Sequence, residues 1–334
     1  GYLVAIGRFA EDSARAIRKL INDTQAEICR FNEAVPDRAG IIRFEDTEKA
    51  EQLIDYKALK GEDVLACNRI RNTIRMARVH SRALIAADLA LHDLTGKLAN
   101  LPCYALWGGA ARQSIAVVRM VGIKPLAELE AGVLELVGQG YRHMKAKIGT
   151  GNLAEDIERI RIIRQAVGDG IWIGVDANGA YTPEQSIELS QALEKYRVAL
   201  IEQPVDYRDL EGLARVTAVS PIPIMADQCV HDAASALALC RQKAAHVVSL
   251  KATKMGSLDI CRRVAELCHA FGIRAHIGGS AGPAVADIAQ AQLAATVPEI
   301  DEECEVGEFQ ALKVNLFNGV TIRDGRMELG EAPG

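Results

Sequence analysis

No Cys-x-x-Cys pair occurs among the eight cysteines, which stand at positions 29, 67, 103, 229, 240, 261, 268 and 304. Such irregular spacing in a chain of 334 residues argues against a disulfide framework and reads as free thiols in a reducing cytoplasm. No apolar run reaches the 18 or so residues that a membrane span needs, and the opening residues carry no signal-peptide pattern. A cytoplasmic protein without membrane contact is therefore expected. Basic residues are in slight deficit, 39 against 44 acidic ones, for a formal charge of −5. They are also scattered, so nucleic acid is not an expected partner. Nothing of the form Gly-x-Gly-x-x-Gly is present, which weakens the case for a nucleotide-binding sheet. Internal repeats and low-complexity tracts are missing too. What remains is an ordinary globular composition, 49% hydrophobic and 25% charged, in a chain long enough for one large domain with a smaller companion.

From about Ile115 short β-rich runs alternate with helical patterns. The expected strands are Ile115–Val121, His143–Ile148, Ile171–Asp176, Ala199–Glu202, Ile222–Ala226, His246–Lys251, Ile273–Ile277 and Glu302–Val306. Helical periodicity falls between them, for example over Leu153–Val167, Pro183–Lys195, Ser257–Phe271 and Ala284–Thr296. Thr182-Pro183 supplies a cap and a first-turn proline, Asp206–Asp209 can open a helix before Leu210, and Gly272 suits a helix end. Eight strands in alternation with helices argue for a parallel α/β barrel, with an open doubly wound sheet as the alternative. The first 108 residues read differently. They are helical over Arg8–Asn22, Asp46–Ala58 and Val64–Asn100, with a short strand at Ile41–Phe44. Leu101-Pro102 and Gly108-Gly109 punctuate the passage into the barrel. Near the end, Val320–Gly325 and Arg326–Leu329 resemble a hairpin, expected to pack on the N-terminal segment.

Asp176, Glu202 and Asp227 each close an apolar strand and lie 26 and 25 residues apart. Lys147 stands 29 residues before the first and Lys251 24 after the last. Those intervals equal about one strand plus one helix, which in a parallel barrel sets all five at one mouth. A single acid at a strand end is usually a helix cap; three in succession are harder to explain that way. Buried carboxylates repel one another unless a cation or hydrogen bonds compensate. Three single-oxygen donors with open positions suit Mg²⁺, with Mn²⁺ as a substitute. Zinc would want His or thiolate ligands, and Cys229 stands alone. Lys145 and Lys147, at i and i+2 on one strand, share a face. An isolated Lys-x-Lys is most often a solvated edge strand, but the carboxylates that follow favour the barrel interior. A free lysine has a pKa of roughly 10.4. A neighbouring ammonium and a divalent cation would lower it toward about 7–8, with Lys145 acting on Lys147.

The ordered set Lys145-Ala146-Lys147, Asp176-Ala177-Asn178, Glu202-Gln203-Pro204, Ala226-Asp227 and Lys251 followed by Lys254-Met255-Gly256 resembles the enolase superfamily. The lysine on the sixth strand is similar to the muconate lactonizing enzyme subgroup, and the likeness spans roughly Val79 to Gly330. It implies a TIM-like (β/α)7β barrel with a smaller N-terminal α+β capping domain. It also implies three parts: a capping domain at 1–108, a catalytic barrel at 109–313, and a segment at 314–334 that returns to the cap. It further implies Mg²⁺ on Asp176, Glu202 and Asp227, Lys147 and Lys251 as the acid/base pair, and Lys145 beside a substrate carboxylate. Asn178, His276 and Glu305 are expected to line the substrate site, Glu305 from a Cys304-Glu305 segment like that of muconate cycloisomerases. Gln228, where relatives carry Glu after the aspartate, is expected behind the metal ligands.

Such a set suits removal of a proton α to a carboxylate, with the enediolate charge met by Mg²⁺ and Lys145. Each fixed contact of that kind is worth roughly 3–4 kcal/mol. The implied partner is a small carboxylate, and the implied assembly a homo-oligomer. Cycloisomerisation, racemisation or epimerisation, and dehydration share this intermediate. Residues Asp301–Val306 lack the Asp-x-Asp that resemblance associates with amino-acid ammonium groups, which favours cycloisomerase-like chemistry. A non-catalytic scaffold descendant would have lost a ligand or base, and all five are present.

Overall fold

The computed structural model describes residues 63–76, 81–280, 282–301, 303–311 and 320–334. The helices expected over Arg8–Asn22 and Asp46–Ala58, and the strand at Ile41–Phe44, lie outside the described residues.

Eight parallel strands follow in chain order: β1 (Ser114–Val121), β2 (His143–Lys147), β3 (Trp172–Asp176), β4 (Leu200–Glu202), β5 (Ile224–Ala226), β6 (Val247–Leu250), β7 (Arg274–Ile277) and β8 (Glu303–Cys304). Neighbours in sequence are neighbours in the sheet from β1 to β7. β8 closes the ring: it pairs with β1 at Ala116 and Val117, and Glu305 N donates to Ile277 O at the end of β7. The fold is therefore a parallel barrel of the TIM type.

Helices α1 (Cys67–Met76), α2 (Ser81–Ala99) and the short α3 (Cys103–Leu106) precede it. The crossovers are α4 (Leu126–Gly138), α5 (Leu153–Val167), α6 (Pro183–Glu194), α7 (Leu210–Val219), α8 (Ala233–Gln242), the single turn α9 (Ala252–Met255) with α10 (Leu258–Ala270), and α11 (Ala284–Thr296). Their starts are set by local chemistry. Thr182 and Gln185 form a reciprocal capping box at α6, and the Asp209 and Asp232 carboxylates accept from the first turns of α7 and α8. Gly272 follows α10 with φ +75°, a conformation that favours glycine.

The apolar core fills the space between strands and helices, where Ile115, Met144, Ile173, Ile201 and Val248 are fully buried. Inside the barrel a separate small cluster of Leu200, Met225 and Val247, with Trp172 against it, forms the floor. Gly174 leaves room there, since a Cβ would come within 2.9 Å of the Trp172 ring. The N-terminal helices attach to the barrel through Asp88, whose carboxylate takes Arg71 at 2.6 Å and the Leu258 amide of α10 at 2.9 Å.

The terminal hairpin exists as β9 (Ile322–Arg323) and β10 (Arg326–Glu328). Its strand partner is in the barrel. β10 adds antiparallel to β1, pairing Ser114 with Glu328 and Ala116 with Arg326. The half of β1 that precedes its pairing with β2 offers free backbone groups, and the hairpin satisfies them. Among the described residues the chain end reaches back to the N-terminal helices, where Gly334 N donates to Leu101 O just after α2.

Candidate active site

Strand register builds the site. Lys147 stands opposite Asp176 and Asp176 opposite Glu202, so the three share one row and one face. Asp227 follows Met225, the partner of Glu202, by two residues and shares its face. The stagger continues through Ser249, opposite His276, to Lys251 at the end of β6. The sequence expectation of one mouth carrying all five residues is met by this shear.

Lys147 donates to Asp176 Oδ2 at 2.5 Å and to Asn178 Oδ1 at 2.7 Å. Asn178 has φ +47°, which turns its amide back onto Asp176 Oδ1 at 3.0 Å. Lys145, on the same face but fully buried, places its ammonium between Glu202 Oε2 and Glu305 Oε1. Burial alone would lower its pKa, but Glu202, Glu305 and Asp176 outweigh it and hold the amine well above the ordinary lysine value. Its charge is thus balanced by two carboxylates instead of acting mainly on Lys147, as the Lys-x-Lys spacing alone suggests.

Glu202 has no exposed surface, and its pKa is pushed up to about 7 by burial and by the Asp176 charge, against Lys145 and Lys251. Asp227 goes the other way. Burial would raise it, yet Lys251 and Lys254 bring it down to about 2. Lys251 donates to Asp227 Oδ2 at 2.6 Å and stands 3.9 Å from Glu202 Oε1. Burial pulls its pKa down, but Glu202 and Asp227 prevail and keep it above the usual lysine range. The lowered lysine expected from sequence is therefore not what these carboxylates produce by themselves. Gly278 sits against this side chain: a Cβ there would meet Lys251 Cε at 2.5 Å.

Behind this layer, His276 Nε2 lies 3.1 Å from Glu305 Oε1, and the Gly279 amide donates to Glu305 Oε2 at 2.7 Å. Burial would raise Glu305, but Lys145 and His276 hold it well below the ordinary carboxylate range. Both residues thus reach the barrel interior, fully buried, as a support for Lys145. Gln228 behaves differently. Both carboxylate oxygens of Asp227 are taken by lysines, and the buried Gln228 Oε1 finds no partner among the described residues.

Three residues of the site have no role in the sequence reading. Lys254 donates to Asp227, Gln203 Oε1 accepts from the Asp227 amide at 2.9 Å, and Glu308 is a carboxyl raised by burial and by repulsion from Glu305. Lys254 was visible as the third residue after Lys251, but only a helical turn there brings both amines to one aspartate. Gln203 follows Glu202 with φ +36°, and its side chain reaches the Asp227 amide of the next strand.

The residues suit a hard divalent cation. The donors are all carboxylate oxygens, and Glu202 Oε1 is buried without a hydrogen-bond partner. Asp176 and Asp227 both act on Glu202 as like charges, a repulsion that a cation would relieve. Among the described residues no three His, Cys, Asp or Glu side chains stand at metal-ligand separations. Each acid is drawn instead to a lysine: Asp176 to Lys147, Glu202 to Lys145, Asp227 to Lys251.

Comparisons with known proteins agree with this architecture. The chain is 37% identical over 254 residues to the hydrophobic dipeptide epimerase of Enterococcus faecalis, covering 75% of this chain and 71% of that one. It is 33% identical over 255 residues to muconate cycloisomerase 1 of Rhodococcus opacus, covering 75% and 68%. Among solved structures, the E. faecalis dipeptide epimerase complexed with Mg and the dipeptide L-Leu-L-Tyr superposes with a TM-score of 0.81 at 32% identity, over 86% of this chain and 81% of that one. The muconate lactonizing enzyme of Pseudomonas fluorescens complexed with muconolactone gives 0.81 at 27% identity, over 86% and 79%. A family model described as Enolase C-terminal domain-like matches residues 128–334. On these matches the chain belongs to the Enolase C-terminal domain-like family of the enolase superfamily, and it is an enzyme of the isomerase kind found among its cycloisomerase and epimerase relatives.

Proposed function

We propose that this enzyme is a Mg²⁺-dependent isomerase that moves the proton α to the carboxylate of a small substrate. Asp176, Glu202 and Asp227 would hold the ion, and Lys147 and Lys251 would carry the proton. The observation that carries this reading is the placement of the two amines. Lys147 on β2 and Lys251 after β6 stand on opposite sides of the acidic row of β3–β5, and their side chains keep 29% and 17% of their surface exposed. Lys145 has 1%. The first two can meet a substrate; the third works from behind.

Bound Mg²⁺ would supply positive charge to the substrate carboxylate and oppose the carboxylates that now hold Lys251 protonated. Lys251, which donates to Asp227 Oδ2 at 2.6 Å, is placed to exchange a proton on one face. Lys147, tied to Asp176 and Asn178, is placed to take a proton from the opposite face. Lys145, an ammonium held between Glu202 and Glu305, would add positive charge from behind to the negative charge that develops on the substrate. Residues 1–108 would act as the cap that selects the substrate.

Cycloisomerisation of an unsaturated dicarboxylate is the first reading, since Glu305 is engaged by Lys145 and His276 and no Asp-x-Asp stands on β8 for an ammonium group. Epimerisation is the second. It is favoured by the paired lysines, one for each face, and by the E. faecalis relative named above. The test is exchange of the α-proton with solvent deuterium, followed by NMR in the presence of Mg²⁺. The panel holds muconates and their lactones, dipeptides and N-acylamino acids. Exchange that stops on chelation is expected. A folded, Mg²⁺-loaded protein that exchanges no α-proton on any of these acids would overturn the proposal. Exchange at the α-carbon with inversion, confined to dipeptides, would select the second reading.

A further inference from the structure

We propose that Lys254 is a positioning residue that limits Asp227 to a single-oxygen contact and thereby makes the site selective for magnesium-sized ions. The inference rests on the Mg²⁺-dependent reading of the site. Lys254 lies on α9, one turn beyond Lys251, and its ammonium has three acceptors: Asp227 O at 2.5 Å, Asp227 Oδ1 at 2.8 Å and Ser249 O at 3.1 Å. All three hydrogens of the amine are thereby used. No atom of the amine remains for a substrate, so its action runs through Asp227.

The rest of Asp227 is equally constrained. Its amide donates to Gln203 Oε1 at 2.9 Å, and Gln203 is itself fixed by donating to Val205 O at 3.1 Å. The backbone N is held by Gln203, and the backbone O and Oδ1 by Lys254. Oδ2 is the exception, because its partner is Lys251, the proposed proton carrier. The carboxylate can neither rotate nor present both oxygens together.

That restriction has a chemical consequence. Ca²⁺ tolerates six to eight oxygens and often takes a carboxylate through both of them; Mg²⁺ needs near-ideal octahedral geometry and single-oxygen donors. An aspartate released from Lys254 could offer both oxygens to a larger ion. The latch therefore supports magnesium binding more than it supports calcium binding. A water molecule in place of the amine would hold Oδ1 without offsetting the charge of a buried carboxylate, so a lysine serves both needs.

The experiment is isothermal titration of Mg²⁺ and of Ca²⁺ into the wild-type protein, K254M and K254R, with thermal unfolding followed by circular dichroism. In K254M, Mg²⁺ affinity is expected to fall about tenfold to a hundredfold, the usual cost of removing a residue that supports a ligand. Ca²⁺ affinity is expected to change by less than about threefold, so the preference for Mg²⁺ narrows at least about threefold and up to about three hundredfold. K254R, which keeps charge and donors, should retain the wild-type preference within about threefold. A purely structural role for Lys254 would lower the melting temperature and leave the ratio alone. An unchanged ratio in folded K254M, beside a wild-type protein that binds Mg²⁺, overturns the inference and spares the proposed function. Absence of Mg²⁺ binding by the wild type overturns both. Where K254M does not fold, K254Q makes the same comparison, since its uncharged amide satisfies at most two of the three acceptors.

Discussion

At the floor of the barrel, strands β3 to β6 turn Trp172, Leu200, Met225 and Val247 inward; at the mouth the same strands and their ends turn in Asp176, Glu202, Asp227 and Lys251. Two to four residues separate each apolar side chain from its charged counterpart. The floor needs nothing beyond fit, because apolar atoms packed at native density lose no hydrogen bonds on burial. The mouth carries the opposite demand. Its carboxylates and Lys145 are desolvated and persist through named partners, as Lys145 does between Glu202 and Glu305. Buried ion pairs are often no more stabilising than the apolar residues that could replace them. A barrel selected for stability alone would continue its floor to the rim. The charged mouth is thus evidence of chemistry, and substitutions at the two ends should fail in different ways.

The largest difference is expected in turnover. Lys147→Ala and Lys251→Ala should each lower kcat for α-proton exchange by about 10²- to 10⁴-fold, the usual contribution of a positioned acid or base. Both side chains keep exposed surface, so the melting temperature should fall less than in Lys145→Met. If either variant kept wild-type kcat in a steady-state assay, that amine would not carry a proton, and the mouth would lose its distinction from the floor.

Next in size is stability. Lys145→Met leaves Glu202 and Glu305 buried without their shared counter-ion, a break that costs about 3–5 kcal/mol in comparable buried pairs. Leu200→Ala at the floor should cost about 2–5 kcal/mol by cavity formation. Urea unfolding separates the two when Glu305→Gln is added to each. It should recover part of the Lys145→Met loss by removing one stranded charge, and recover nothing for Leu200→Ala. Equal effects of Glu305→Gln in both backgrounds would mean that the buried charges are not coupled as drawn.

Legibility in the sequence follows the same division. The strands were readable because an apolar run ending in one acid or lysine is a local signal; β3 through β7 fall within two residues of their expected bounds at each end. The spacing of Asp176, Glu202 and Asp227 was readable because each βα unit has nearly constant length. The single turn α9 was not, since four residues cannot display a 3.6-residue period. With it went the role of Lys254. The partner of the terminal hairpin was also hidden, because antiparallel addition of β10 to β1 joins residues more than two hundred positions apart. The balance of charge on Lys145 depends on Glu305, which arrives 160 residues later just after β8, and no local pattern announces it.

The smallest expected effect, taken per pH unit, lies just outside the mouth and tests whether burial of a lone acid behaves differently from burial of a paired one. Asp287 on α11 is fully buried, and burial pushes its pKa up to about 8, against the Phe309 amide that donates to Oδ2 at 2.9 Å. No ion pair to it is found among the described residues, in contrast to Asp227, which two lysines bring down to about 2. The sign of the pH effect follows from which state holds the proton. Between about pH 4, where an unfolded aspartate ionises, and about pH 8, the native protein keeps a proton that the unfolded chain has released. Stability contributed by this group therefore falls as pH rises across that window, by at most about 1.4 kcal/mol per pH unit, and changes no further above it. Asp287→Asn keeps an oxygen for Phe309 N and removes the titration. In urea unfolding at pH 5, 6.5 and 8, the variant should gain on the wild type as pH increases. Parallel pH dependences would show that Asp287 ionises alike in both states, and that burial without a partner does not by itself set an acid in this barrel apart from those at its mouth.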